Sequence, residues 1–222
     1  PPIDPLFAHL ITAMPDAASK GALADLTAAL STRPRVLKLP TGEQARRELA
    51  DWQPVPCDAT TLIQAIRREP PAELKPDKKA RKEARRLASQ IRRSLGLGDI
   101  PESLDCEREV WLRAVLDASP ELAFVRREKR RQAMGNGYRE ITVGEDSRLE
   151  DDAEAALVFD DHSVPGKRGT RETFTIGTCL APVPLELLVD ADLGETVPGE
   201  LKWRDGEPWL VTERHYANRF IY

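Results

Sequence analysis

The sequence predicts an α+β chain, with a helical region over residues 1–135 followed by a small β-barrel over residues 136–222. Three observations predict it. Apolar residues recur at helical spacing through the first half, with prolines standing between the runs. A basic cluster at Arg126–Arg131 and a Gly135-Asn136-Gly137 break come next. Beyond the break the pattern shortens to the alternation of strands.

The elements follow in order. Pro5 opens the apolar run LFAHLITAM, and Pro15 stops it. From about Lys20 to Ser31, Leu23, Leu26, Ala29 and Leu30 share one helical face. A third helix is expected over Gly42–Ala50, then a proline-punctuated loop, then a helix to Arg68 with Asp58 as its N-cap. Pro70, Pro71 and Pro76 form a stiff connection. The clearest helix spans Asp77–Leu95: Ala80, Ala84, Leu87, Ile91 and Leu95 make one apolar stripe, and Gly96 and Gly98 stop it. A further helix runs from about Cys106 to Ala118, with Val110, Trp111, Ala114 and Val115 inward. Strands are expected at Tyr138–Val143, Ala155–Phe159 and Thr173–Cys179, with one brief helix in PVPLELLVDAD. Asp205-Gly206 marks a hairpin whose Trp203 and Trp209 read as a cross-strand aromatic pair, with base stacking as the alternative. A final strand, Asn218–Tyr222, closes the unit. Five or six short strands with one inserted helix fit a barrel of OB type.

At 222 residues with 41% hydrophobic content, the chain can bury a sizeable core. Charged residues make up 32% of it, yet the formal net charge is −4, as expected of a soluble globular protein with a charged surface. No apolar run approaches the roughly 18 residues of a membrane span. The amino terminus carries no secretory pattern and no initiating Met, which reads as a piece of a longer chain. Cys57, Cys106 and Cys179 are odd in number and far apart. They suit neither a disulfide framework nor a zinc site, and read as buried hydrophobes in a reducing cytoplasm.

The small net charge hides segregation. Residues 67–93 hold eleven Lys/Arg against four Asp/Glu, and residues 126–139 hold six against one. Residues 145–161 reverse this, with eight acids against one Arg. Catalytic motifs are missing: there is no GxxxxGK[ST], no Mg-holding acidic motif, no GxSxG and no HExxH. His9 lies on an apolar helix and reads as a packed core residue. Asp160, Asp161 and His162 read as a solvated acidic loop before the turn at Gly166–Thr170, with cation binding as the alternative. Along the Asp77–Leu95 helix, Lys78, Lys79, Arg81, Lys82, Arg85, Arg86, Arg92 and Arg93 face only Glu83 and the cap Asp77. Like-signed crowding of this kind is relieved by a polyanion, whose condensed counterions are released on contact.

The run SPELAFVRREKRRQAMGNG, after a helix and before short strands, resembles the carboxy-terminal part of bacterial HrpB-like DEAH-box RNA helicases. Ala118, Ser119, Pro120, Glu121, Leu122, Ala123 and Arg126-Arg127 follow that family's segment before its OB unit, with Glu121-Leu122 where the family has Asp-Arg. Gly135-Asn136-Gly137 stands for its Gly-Arg-Gly turn. PLFAHLITAM…LADLTAALSTRP is similar to the helical pair after the motor, and KKARKEARRLASQIRRSLGL to the basic helix before the barrel.

The resemblance implies a cytoplasmic, non-motor accessory region that binds single-stranded RNA, or DNA, through its backbone beside the motor domains of the same polypeptide. The basic helix residues named above and Arg126, Arg127, Lys129, Arg130 and Arg131 are the expected contacts. ATP and Mg belong to the motor, so this piece is expected to need no cofactor, to hold no metal and to be inactive alone. No membrane partner is expected. The alternative is a protein-interaction or autoregulatory module built on the opposed acidic and basic patches.

Overall fold

The computed structural model describes residues 3–103, 107–166 and 173–222. Cys106 and the turn at 167–170 lie outside them. Six helices occupy the first half: α1 (Pro5–Ala13), α2 (Ala17–Ser31), α3 (Glu43–Trp52), α4 (Asp58–Arg67), α5 (Lys78–Ser94) and α6 (Arg108–Ala118). Asp4, Asp16 and Asp77 cap α1, α2 and α5 by accepting from a backbone N–H of the first turn. The cap of α4 is Cys57 rather than Asp58. Asp58 is the first residue of α4, and its carboxylate turns outward from the helix to other elements.

The strands begin earlier than the sequence pattern indicates. β1 (Ala123–Arg126) and β2 (Ala133–Gly135) take the segment read as a basic joint, and β3 (Glu140–Val143), β4 (Ala155–Pro165) and β5 (Thr173–Val183) follow. These five pair in a closed ring of order β1-β2-β3-β5-β4, with β4 returning to β1 and β3 running parallel to β5. After the helix α7 (Leu185–Asp190) come β6 (Glu195–Arg204), β7 (Glu207–Tyr216) and β8 (Arg219–Phe220). The last hairpin and strand, expected to close the barrel, instead form a separate three-stranded sheet. The Asp205-Gly206 turn is where the sequence places it, both residues having positive φ as a tight hairpin demands.

Burial explains both differences. The ring is apolar on two sides. Phe124, Met134, Ile141, Leu149, Ala156, Val158 and Leu180 fill its interior. The alternate residues Ala123, Val125, Ala155, Leu157, Phe159, Cys179 and Ala181 join the helices in one larger core. A strand buried on both faces loses its polar alternation, so 123–125 looks like the end of a helical run. One buried cluster thus spans residues from the helical region and from the ring. The three-stranded sheet meets the body near its β7–β8 end, where the Tyr216 hydroxyl donates to Ala123 O at 2.9 Å, Arg219 pairs with Glu154 and Ile221 is buried.

A buried ionic group ties the helices. Asp25 on α2 is fully buried and accepts from Arg67 Nε at 2.7 Å and from Arg92 Nε and Nη2 at 2.8 and 2.7 Å. Arg67 Nη1 and Arg92 Nη1 donate onward to the carbonyls of Ser103 and Asp99. Gly21, one turn before Asp25, makes the room: a Cβ there would lie 2.8 Å from Arg92 Nη2. Removing one member strands buried charge, which typically costs about 3–5 kcal/mol. Asp25→Ala is therefore expected to lower the unfolding free energy by about that amount in urea titration. A loss within the ~0.5 kcal/mol of ordinary surface changes would remove the group from this role.

Candidate nucleic-acid interface

Helix α5 carries eight basic residues, and the fold divides them. Ala80, Ala84, Ala88 and Ile91 face the core, which fixes the helix's rotation. Arg92 then points inward to Asp25. Arg81 Nε donates to Ala65 O at 2.8 Å, and Arg85 donates to the carbonyls of Ile66 and Arg67. Together they satisfy acceptors at the carboxy end of α4 that no helix bond can reach. Burial, followed by repulsion from Arg85, pushes the Arg81 pKa down from its ordinary value. The other five, Lys78, Lys79, Lys82, Arg86 and Arg93, are exposed, with no hydrogen bond or ion pair to any described residue. Lys78, Lys82 and Arg86 stand four apart, one above another along a helix about 25 Å long. Glu83 is the acid exposed beside them.

The second cluster has a different fate. Arg126 is 1% exposed and donates to the carbonyls of Ala153, Arg131 and Glu150. Burial lowers its pKa. Arg127 donates to Glu140 and to Ala217 O, packed against Gly135, where a Cβ would come within 2.4 Å of its guanidinium. Arg130 pairs with Glu140 at 2.7 Å, and Arg131 with Glu154 at 2.7 Å. Arg219 adds a second cation to Glu154. The Arg131 hydrogen bond leads the causes that hold the Glu154 carboxyl below its usual range. Lys129 alone of the five expected contacts is exposed without a partner among the described residues. The expected sharp turn is present: buried Asn136 accepts from the N–H groups of Tyr138 and Arg139 and donates to Glu121 O.

Several single-residue readings change. Asp160 and Asp161 are on strand β4, not in a solvated loop; Asp160 accepts from Arg35 at 2.8 Å and from the Thr178 hydroxyl, and Asp161 from Arg139. Register shifts between Val158 and Asp160 and between Asp160 and Asp161 break the strand's regular alternation just after its apolar run 155–159. No group of three or more metal-ligating side chains occurs among the described residues. His9 is exposed, and its Nε2 lies 3.2 Å from Ala118 O. Trp111, Val115 and the cysteines Cys57 and Cys179 are buried, as their sequence context indicates, whereas Val110, expected inward, is exposed on α6. Trp203 and Trp209 are not a cross-strand pair. Trp203 stands opposite Pro208, and Trp209 opposite Lys202, so the indoles lie on opposite faces.

Sequence reasoning missed a cleft of about 1180 Å³ between the segment after α2 and the ring. Arg33, Arg35, Lys38 and Arg46 line it together with Glu145, Asp146, Asp151, Asp160 and Asp161. Such alternation of sign does not favour a polyanion. Only the joint itself, invisible before pairing is known, brings these residues together.

No protein-family model matches the chain, and no curated protein matches it. No helix among the described residues is long and apolar enough to cross a membrane.

Asp58 holds the wall of the cleft. Its carboxylate accepts from Ser147 Oγ and Arg148 N at 2.7 Å each and from Leu180 N at 3.0 Å, joining α4 to the loop after β3 and to β5. Burial raises its pKa to about 6, against the lowering effect of those hydrogen bonds. A raised carboxyl pKa means that the folded state holds the proton more tightly than the unfolded one. This contribution to stability is complete below pH 3.8 and is lost as pH rises through about 6. Between pH 7 and 4 the wild type should gain up to roughly 3 kcal/mol that Asp58→Asn does not. Parallel profiles for the two proteins in urea titrations would contradict the assignment.

Proposed function

We propose that this chain is a non-motor, strand-holding piece of an ATP-dependent RNA helicase of the HrpB-like DEAH-box kind. Its task is to bind single-stranded nucleic acid through the phosphate backbone. The observation that carries the reading is the bare cationic face of α5: Lys78, Lys79, Lys82, Arg86 and Arg93 lie exposed on one helix without an ion pair among the described residues. Phosphate contacts position a strand without reading its sequence, and this face offers charge without base-reading groups. The closed five-strand ring supports an OB-like assignment, a barrel type that commonly carries oligonucleotides. In this reading the motor domains lie elsewhere in the same cytoplasmic polypeptide and supply ATP and Mg chemistry.

The alternative is a protein-interaction or autoregulatory module. The ion pairs of Arg127, Arg130, Arg131 and Arg139 with Glu140, Glu154 and Asp161 favour a structural use of the opposed patches. What remains for a partner is again α5, whose face would also suit an acidic protein surface.

Binding of a labelled single-stranded RNA at increasing salt tests the proposal. Lys79→Gln, Lys82→Gln and Arg86→Gln together should weaken unrelated sequences about equally. They should also flatten the log–log salt slope by up to about 2, at roughly 0.7 per lost contact. Arg85 is unsuitable for neutralisation, since it supports the end of α4. Unchanged affinity in the triple variant would take α5 out of the strand's path. Separately, the purified chain should hydrolyse no ATP with RNA present, because it has no phosphate-cradling loop. Turnover that co-purifies with the chain would contradict this.

A further inference from the structure

The β6–β7 hairpin leaves large side chains uncovered. Trp203 is 71% exposed and Trp209 58%. The pairing of Leu201 with Leu210 and of Trp203 with Pro208 puts these four on one face. Lys202 with Trp209 and Arg204 with Glu207 make up the other. One face is therefore wholly apolar. The other sets an indole directly opposite a lysine, with an arginine two residues along.

We infer that the face bearing Trp209, Lys202 and Arg204 is a second contact for single-stranded nucleic acid, where a base stacks on the indole and phosphates meet the two cations. The inference rests on the strand-binding reading above and adds a site to it. An exposed indole beside cations has the chemistry of a sequence-tolerant stacking platform, since every base presents a π-face. Lys202 has no ion pair or hydrogen bond among the described residues. Arg204 has a long contact of 4.0 Å to Asp205, both side chains being largely exposed. Residues two apart on a strand are about 6.6 Å apart, a spacing on the scale of successive phosphates in an extended strand. Glu207 opposes Arg204 on the same face and reduces its pull, so Glu207→Gln should tighten binding.

Trp203 supplies an internal control: the same residue type, on the same hairpin, with no cation on its face. The test measures binding of the full chain to labelled oligouridylate and, separately, to inorganic polyphosphate, a polyanion without bases. Trp209→Ala should weaken oligouridylate roughly five- to hundredfold and leave polyphosphate unchanged. Trp209→Phe should retain most of the affinity, and Trp203→Ala should stay within about twofold of wild type. Lys202→Gln with Arg204→Gln should weaken both ligands, as lost phosphate contacts require. Unchanged oligouridylate binding in Trp209→Ala overturns the inference; the α5 triple variant still losing affinity would leave the strand-binding reading in place. Equal losses in the two Trp variants overturn it as well, because the hairpin's fold would then be the cause. Concentration-dependent self-association that Trp209→Ala abolishes would assign the indole to a protein contact instead. Wild-type chain that binds neither ligand overturns both readings.

Discussion

Everything on the helical side depends on where the Asp25 carboxylate finds its partners. A carboxylate with no exposed surface is tolerable only if its lone pairs are fully engaged, and Arg67 and Arg92 engage both oxygens. The arginines come from α4 and α5, so satisfying Asp25 fixes the position of both helices against α2. Together with the apolar stripe, it sets the rotation of α5 about its own axis. With Arg92 inward and the alanines against the core, the turns of the helix leave Lys78, Lys82 and Arg86 no direction but outward. Gly21 belongs to the same arrangement, since any side chain there would take the guanidinium's place.

A second constraint joins the helices to the ring. Its strands bury apolar side chains on both faces, so the ring needs the helices to cover its outer side. Polar groups in that interface must then be paired within it. Asp58 does so with three donors from two elements, Arg35 with Asp160 and Thr178 O, and Arg46 with Pro40 O and Glu145 O. These bonds bring the segment after α2 against the ring and form the mixed-charge cleft between them.

Elements whose periodicity one core imposes were legible in the sequence: α1, α2, α5, and the hairpin at Asp205-Gly206. The stripe on α5 and its stop at Gly96 needed only local spacing. β1 and β2 were harder, because double-sided burial removes the alternation that distinguishes a half-exposed strand. The start of the strands at Ala123 was therefore hidden behind apolar continuity, and the separate sheet behind the expectation that sequential strands join one barrel. Among the charged residues, type and local spacing identified the basic helix. They could not separate Arg86, which is bare, from Arg85, which supports the end of α4, or Arg92, which is buried. That sorting needs the rotation of α5, set by a carboxylate on α2 sixty-seven residues away in sequence.

The two basic stretches, alike in composition, show what decides whether a positive cluster remains available. Around Arg126–Arg131 the ring brings Glu140 and Glu154 within ion-pair distance, and the cations help hold the loop ends of β1, β2 and β4. Along α5, Glu83 is the acid beside the exposed face among the described residues. The two like-charged pairs four residues apart, Lys78–Lys82 and Lys82–Arg86, together destabilise the helix by roughly 0.4–1 kcal/mol. The loss expected on breaking the Asp25 group is several times larger. The anchor thus outweighs the repulsion along the stripe, and α5 holds a charged face that no ion pair among the described residues neutralises. A bound polyanion would relieve that repulsion and release its counterions in the same step, and this is the physical basis of the strand-binding proposal.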